Sequence, residues 1–274
     1  MNPTKHASPE SLKVCTPEDN TRQDRYIHFR FNGEEFPLAR EEAWRIQAEG
    51  YRSMGFVTGK AIDERGFLYP EIDKSRGIPG SEYYIVISDA EEDDRATLRK
   101  VPPRPFCDYT SLPAYESTKD TLYPLGKKLL ENLHLAGNDI KEISALAKTE
   151  HASPLAIFEL FREIIQDAHT KNEVWFFSVV STTFSALVKN MGKCSFTVIG
   201  GDVNLDDPRV NPDITLRPAL FMPGPYYQNL MADIKSAKDY SSRKRLIASL
   251  EFFSEGLRDP KLTEQISTFL GQYS

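Results

Sequence analysis

The sequence predicts an α+β domain built on a mixed β-sheet, and three observations support this prediction. Residues 139–203 alternate between strand-like and helix-like periods of apolar residues, in the order strand, helix, strand, helix, strand. Before them, two strand-like segments, EYYIVIS and RATLRKV, flank the acidic turn AEEDD and predict a hairpin. After them, residues 226–272 have the pattern of two or three helices. Alternation at this density is typical of βαβ units in a mixed or parallel sheet.

The first part of the chain predicts a different arrangement. Residues 1–24 are polar and aperiodic, which predicts a flexible arm. RYIHFRF predicts a strand that turns at Asn32-Gly33. Residues 38–55 predict a helix that ends at Gly55, with Ala43, Ile46, Ala48 and Tyr51 spaced to face a core. A loop rich in Gly and Pro (57–80), the hairpin, a Pro-rich excursion (102–117) and a helix (122–136) follow.

The segment 139–203 contains three predicted strands, IKEISALAK, VWFFSVVS and CSFTVIGGDV, which we expect to be neighbours in one sheet. The helices SPLAIFELFREIIQDAH and TTFSALVKN connect them, and ITLRPALFM predicts a further strand. We therefore expect one domain over residues 25–222, with residues 223–274 as a C-terminal helical extension packed on it.

Composition excludes several classes of protein. The chain has 274 residues, 40% of them hydrophobic, and a net charge of −6, which does not favour nucleic acid as a partner. No apolar run approaches the ~20 residues that a membrane span needs. Three scattered cysteines, Cys15, Cys107 and Cys194, do not suggest a disulfide framework or a zinc site. We expect a cytoplasmic protein without a bound metal.

Glu142 is the first candidate catalytic residue. The strand period places Ile140, Glu142, Ser144 and Leu146 on one face of IKEISALAK. A carboxylate among apolar neighbours must be paired, hydrogen-bonded or protonated, and burial would raise its pKa towards the range useful for a general base. The alternative is a structural role, in which Glu142 forms a salt bridge with Arg99 or caps a neighbouring loop.

Arg99 and Ser144 are further candidates. Arg99 lies at the end of the hairpin strand, where it could hold a carboxylate or stabilise an oxyanion, or could be an ordinary edge-strand arginine with a solvated head. Ser144 could donate a hydrogen bond on the face of Glu142, or be satisfied by backbone. Trp175 and Phe177 are candidates for the wall of an acyl channel, although core packing is the simpler explanation.

These residues and their order resemble the GNAT superfamily, and most closely its branch of acyl-homoserine-lactone synthases and N-acyl amino acid synthases. The resemblance covers roughly residues 25–222. Four stretches carry it: the helix with Arg45, Gln47, Tyr51 and Gly55-Phe56, the hairpin ending in LRKVPP followed by SLPAYE, the strand KEISALA, and WFFSVVSTTFSALVKNMGKCSFTVIG.

The resemblance implies an N-acyltransferase that moves an acyl group from a thioester to the amine of an amino acid or a related small molecule. It implies Glu142 as the catalytic acidic residue and Arg99 as the hairpin arginine, and it places substrate contacts at Tyr51, Ala145 and Leu146. Ala145 departs from the arginine usual in the branch. No separate cofactor is implied, because the thioester is a cosubstrate.

The glycine-rich loop that usually grips coenzyme A is replaced by KTEHASPLA, although backbone amides near Ser153 could still meet a phosphate. An acyl carrier protein is therefore the expected donor. Its acidic surface would need a basic patch, for which the sequence offers two clusters: Arg162, Lys171, Lys189 and Lys193, and Arg243, Lys244 and Arg245. The alternatives are that these are solvated helix faces, and that the chain is a catalytically silent GNAT-like domain that binds an acyl ligand or a partner protein.

Overall fold

The computed structural model describes residues 26–89 and 93–273. The strands are β1 (Tyr26–Asn32), β2 (Glu82–Ser88), β3 (Arg95–Val101), β4 (Asp139–Lys148), β5 (Glu173–Val180), β6 (Phe196–Val198), β7 (Val203–Asn204) and β8 (Thr215–Phe221). The helices are α1 (Pro37–Ser53), α2 (Pro113–Thr118), α3 (Pro124–Leu135), α4 (Pro154–Ala168), α5 (Ser181–Met191), α6 (Tyr226–Ser236), α7 (Tyr240–Ser254) and α8 (Pro260–Leu270). The predicted arm over residues 1–24 and the tip of the acidic turn lie outside the described residues.

The strands form one sheet in the order β1-β2-β3-β4-β5-β8-β6, and β7 pairs with β8. This confirms the prediction of a mixed sheet with flanking helices. The predicted hairpin is confirmed, since β2 and β3 pair antiparallel with Tyr83 opposite Arg99. Three helices follow β8, as predicted for residues 226–272.

The third strand of the segment 139–203 differs from its prediction in two ways. It is split into β6 and β7, and β8 lies between β5 and β6. β8 pairs antiparallel with both, placing Phe221 opposite Trp175 on one side and opposite Phe196 on the other. The strand that follows in sequence thus takes the place expected for CSFTVIGGDV: its seven residues pair with β5 along one edge and with β6 and β7 along the other.

The chain divides into two compact units, and each is described separately. The first comprises residues up to 104, 143–160 and 206–211. Its aromatic core includes Phe29, Phe31, Trp44, Phe67 and Tyr83. Helix α1 buries Ala43, Ile46 and Ala48, as its spacing predicts, and Gly55 follows it with a left-handed φ of 70°. At Gly50 a Cβ would lie 2.4 Å from the carbonyl oxygen of Lys148, so only glycine allows α1 to pack this closely.

The second unit comprises residues 105–142, 161–205 and 212 onwards. One of its core clusters joins α2, α3, β4, β5 and β8 through Leu112, Leu130, Ile140, Phe176 and Leu220. Gly126 permits α3 to approach the carbonyl of Ile199, which a Cβ would meet at 2.2 Å. The boundary between a domain at 25–222 and an extension at 223–274 stays a prediction.

Candidate active site

Glu142 is buried on β4, with 4% of its surface exposed. Its Oε2 accepts a hydrogen bond of 2.7 Å from the backbone N–H of Ala114. Ala114 is the second residue of α2, whose N-cap residue, Leu112, supplies no side-chain acceptor. Glu142 therefore caps α2 from a neighbouring strand, as one of the two structural alternatives expected.

The donor to Glu142 is held firmly. Leu112 and Ala114 are 1% and 4% exposed and pack in the cluster that contains Ile140 and Phe176. Pro113 begins the helix, where its fixed φ is favourable and its missing N–H costs no helical hydrogen bond. The hydroxyl of Thr118 donates to the carbonyl of Ala114 at 2.6 Å. The Pro-rich excursion is thus an ordered element that presents one amide to one carboxylate.

Arg99 lies in a second polar cluster, within the first unit, and its side chain is fully buried. Its Nη2 donates to Asp73 Oδ1 at 2.5 Å and to Ser75 Oγ at 2.6 Å, and its Nε donates to Ser144 Oγ at 3.2 Å. Ser75 also bonds Ser144 at 3.1 Å. The structure therefore brings the predicted residues Arg99 and Ser144 together, and the solvated edge-strand alternative for Arg99 is wrong.

The charge of Arg99 is stabilised by its surroundings. Burial by itself lowers the pKa of Arg99, but the Asp73 carboxylate and then Tyr83 raise it above its ordinary value. The guanidinium lies over the Tyr83 ring at 5.8 Å, and the Tyr83 hydroxyl accepts from Trp44 Nε1 at 3.2 Å. Nη1 of Arg99 makes no hydrogen bond within the described part of the chain.

The backbone of β4 departs from a regular strand at Ala145, which has a φ of +54°. Buried positions alternate up to Glu142 and resume with the opposite phase at Ile143. The buried positions therefore do not follow the expected alternation of every second residue from Ile140 to Lys148, because Glu142 and Ile143 are both buried and the two-residue period shifts between them. Ala145 is buried and Leu146 is half-buried.

The candidate channel residues are packed in an aromatic cluster. Trp175 is fully buried and stacks on Phe221 at 5.3 Å, and its Nε1 donates to Glu173 at 3.0 Å. Phe177 contacts Phe161 at 6.1 Å and Phe221 at 6.3 Å between ring centroids. Tyr51, at the end of α1, is half-buried against Phe56. Substrate contacts at these residues stay predictions.

Backbone N–H groups at the start of α4 have hydrogen-bond acceptors within the chain. The N–H of Ser153 donates to Asp94 Oδ1 at 3.1 Å, and the Ser153 hydroxyl accepts from the N–H of Leu155 at 3.2 Å. The N–H of Ala156 bonds the carbonyl of Ser153 at 3.1 Å, and Pro154 has no N–H. These amides thus have partners within the chain, including the Asp94 carboxylate, and the expectation that amides near Ser153 meet a phosphate stays a prediction.

The basic residues predicted to meet an acyl carrier protein differ in how exposed they are and in whether they already form ion pairs. Arg162 pairs with Glu255 and lies over the Phe252 ring, and Lys171 pairs with Asp167 at 2.7 Å. Arg243 and Arg245 are half-buried and bond neighbouring oxygens. The side chains of Lys189, Lys193 and Lys244 are exposed on or beside α5 and α7, which pack against each other.

Two features are absent from the described residues. None of their helices is long and apolar enough to cross a membrane. Within residues 26–89 and 93–273, no group of three or more His, Cys, Asp and Glu side chains is arranged to hold a metal ion.

Comparison with solved structures identifies the fold. FeeM, an N-acyl amino acid synthase from uncultured soil microbes, superposes with a TM-score of 0.53 at 15% identity, over 75% of this chain and 94% of that one. The chain has the fold of an N-acyl amino acid synthase. This confirms the predicted GNAT-like α+β fold.

Two further structures are more distant. LasI, an AHL synthase, gives a TM-score of 0.45 at 13% identity, over 71% of this chain and 88% of that one. MesI, a CoA-dependent acyl-homoserine lactone synthase, gives 0.42 at 14% identity, over 82% and 95%. No family model matches the sequence, and no curated protein matches it.

Asp73 and Ser75 are the site residues that sequence reasoning did not select. Asp73 is one of several acidic residues in the loop 57–80, and nothing in its neighbourhood distinguishes it from Glu71. The pairing with Arg99 joins residues 26 positions apart and depends on the fold of the loop. A pattern of neighbouring residues does not contain that information.

Proposed function

We propose that this protein is an N-acyltransferase that transfers an acyl group from a thioester to the amine of an amino acid or a related small molecule. The observation that carries the proposal is a carboxylate, Glu142, which is 4% exposed on a strand of this fold and oriented by a backbone N–H. The likeness to FeeM supports it, because FeeM is an N-acyl amino acid synthase.

In this proposal Glu142 is the general base. The amine nitrogen attacks the thioester carbonyl carbon, the new C–N bond forms and the C–S bond breaks. The proton of the amine passes to Glu142, directly or through water, and then to the departing thiolate. Backbone amides of β4 near Ala145, where the strand is irregular, polarise the carbonyl oxygen.

Arg99 and Ser144 have a supporting role in this proposal. The guanidinium is fully buried and is engaged by Asp73, Ser75 and Ser144, so it fixes the Ser144 hydroxyl and the loop around Asp73. Ser144 is half-buried and is the member of the cluster that we assign to the acceptor or donor. Trp175 and Phe177 are assigned to the acyl chain, with Tyr51 and Leu146 at the substrate.

An acyl carrier protein is the proposed donor. The amides at the start of α4 bond Asp94 and Ser153, which removes one cradle for the pyrophosphate of coenzyme A. Exposed Lys189, Lys193 and Lys244 offer positive charge to an acidic carrier. The opposite result, a preference for acyl-coenzyme A, would leave the acyltransferase proposal in place.

The first experiment is release of free thiol from acyl-carrier and acyl-coenzyme A thioesters of short, medium and long chains, with a panel of amino acids. We expect turnover with at least one amino acid, and faster turnover with the carrier at low salt than at high salt. Glu142→Gln is expected to lower turnover by roughly two orders of magnitude, the usual scale for a lost general base. Because glutamine still offers an oxygen to Ala114, the variant keeps the helix cap.

The proposed docking surface for the acyl carrier protein, which includes Lys189 and Lys193, has its own matched test. Lys189→Glu with Lys193→Glu is expected to raise KM for the acyl carrier by roughly tenfold and leave acyl-coenzyme A unaffected. Lys128→Glu, on the exposed face of α3, is the control. Binding of acyl thioesters without turnover for any amine would favour the second candidate, a silent domain that binds an acyl ligand or a partner protein.

A further inference from the structure

The contact between Glu142 and α2 has two properties that are unusual for a simple helix cap. The acceptor is a charged side chain from a distant position in the sequence, 28 residues from the donor. Both ends are buried, with Glu142 at 4% and Ala114 at 4% exposure. A charge-assisted hydrogen bond in a buried setting fixes orientation more strongly than one between neutral groups at the surface.

The donor cannot easily move away from the carboxylate. Leu112 and Ala114 belong to the same packed cluster as Ile140, which is two residues before Glu142 on β4. The hydroxyl of Ser117 donates to the carbonyl of Pro113 at 2.8 Å and closes the turn from within. Tyr109, in the turn before α2, packs edge-on against Tyr115 at 5.5 Å and against His134 of α3 at 5.4 Å.

We propose that the backbone N–H of Ala114 is a positioning group for the reaction, which holds the Glu142 carboxylate in the orientation that proton removal requires. This inference rests on the proposed role of Glu142 as the base. Residues 112–118 then belong to the catalytic machinery through a single amide, and no side chain of this segment takes part in the chemistry.

Orientation is the physical reason for an effect on rate. A carboxylate that rotates about its last bond spends only part of its time aligned with the N–H bond of the amine, and fixed geometry removes that loss. Removing the Ala114 donor should therefore lower kcat and leave KM nearly unchanged, because substrate binding does not use this amide.

The test replaces the amide at Ala114 by an ester, through incorporation of the corresponding hydroxy acid in the full chain. The ester deletes the N–H and keeps the shape of the backbone. The matched control places an ester at Tyr115, which weakens the carbonyl of Ala114 as an acceptor for Thr118 but leaves the N–H of Ala114 in place. We expect a loss in kcat of roughly tenfold or more for the Ala114 ester, and a change of less than about twofold for the control.

Equal effects of the two esters would overturn the inference, provided that Glu142→Gln is impaired. Wild-type turnover in Glu142→Gln would instead overturn the proposed base itself, so the two failures can be told apart. Hydrogen exchange supplies a measurement independent of activity and of the ester variants: the Ala114 amide should be protected in the wild type and exchange faster in Glu142→Ala. An amide of Ala114 that exchanges freely in the wild type would overturn the inference.

Discussion

The two units of the molecule bury different kinds of side chain. In the described part of the first unit, the interior contains charged groups that have charged partners, such as Arg99 with Asp73 and Lys100 with Glu82. The interior of the second unit is largely aromatic, with Trp175 stacked on Phe221 and Tyr226 against Phe253. Both interiors contain aromatic clusters, and the first unit adds to its cluster a buried arginine and a buried lysine, each paired with a carboxylate.

This difference determines how each unit should respond to substitution. A buried ion pair contributes little net stability, but removal of one member leaves an uncompensated charge. An aromatic core contributes stability through the area that it removes from water, and a truncation leaves a cavity. The first unit should therefore be sensitive to charge, and the second to volume.

The largest effect is expected for Arg99→Met. This change leaves Asp73 buried without its partner and should lower the free energy of unfolding by about 3–5 kcal/mol, measured by urea denaturation. Arg209→Met, which removes a surface pair with Asp207, is the control and should change stability little. If charge compensation is the reason, Arg99→Met combined with Asp73→Leu should recover much of the loss; an equally unstable double variant would argue against it.

Phe221→Ala tests how sensitive the second unit is to the loss of side-chain volume in its aromatic cluster. Phe221 is fully buried and contacts the rings of Trp175, Phe177 and Phe196. The cavity should cost about 3–4 kcal/mol in the free energy of unfolding. Leu125→Ala, at a position 81% exposed, should have almost no effect. A loss below about 1 kcal/mol at Phe221 would mean that the aromatic cluster collapses to fill the gap.

A smaller loss of stability is expected at Gly50, where α1 contacts the backbone of β4. Alanine normally favours a helix over glycine, yet Gly50→Ala should destabilise the protein by about 1–3 kcal/mol, because its Cβ would meet the carbonyl of Lys148 at 2.4 Å. Gly59→Ala is the matched control, since its Cβ would meet no atom within 4 Å. Greater stability of Gly50→Ala would show that α1 and β4 can move apart at little cost.

The smallest effect concerns a polar contact within the aromatic unit. A hydrogen bond from the Cys194 thiol to Asp233, and then partial burial, raise the pKa of Cys194 above its ordinary value. At neutral pH less thiolate is present, so alkylation should be slow. In a Cys15→Ser, Cys107→Ser background, Asp233→Asn should speed it a few-fold, and the difference should vanish at high pH, where both thiols are ionised. Identical rates at neutral pH would contradict this assignment.

Local sequence patterns were sufficient to predict most of the helices and strands. The spacing of Ala43, Ile46 and Ala48 predicts the buried face of α1, and the left-handed Gly55 follows the helix as predicted. The hairpin of β2 and β3 follows from two strand-like segments around one acidic turn. The resemblance to a family of acyltransferases was carried by short stretches in order, and the likeness to FeeM confirms it at the level of the fold.

Pairings between residues far apart in the sequence could not be predicted from local patterns. The position of β8 between β5 and β6 depends on which edge of the sheet was available, and no local pattern records that choice. The burial phase of β4 shifts between Glu142 and Ile143, and Ala145 has a positive φ, although alanine carries no signal for a left-handed backbone. An amide of the Pro-rich excursion proved to be a partner of Glu142, which is the capping alternative that the sequence left open.

The sequence by itself determined the type and order of most helices and strands and the presence of one carboxylate, Glu142, among the apolar and small residues of β4, because periodicity and turn chemistry act over a few neighbouring residues. Only the tertiary structure decided that Arg99 pairs with Asp73, that the start of α4 holds Asp94, and that Glu142 bonds Ala114. These contacts join residues 26, 59 and 28 positions apart, and their formation depends on the packing of whole elements, which no short window of sequence contains.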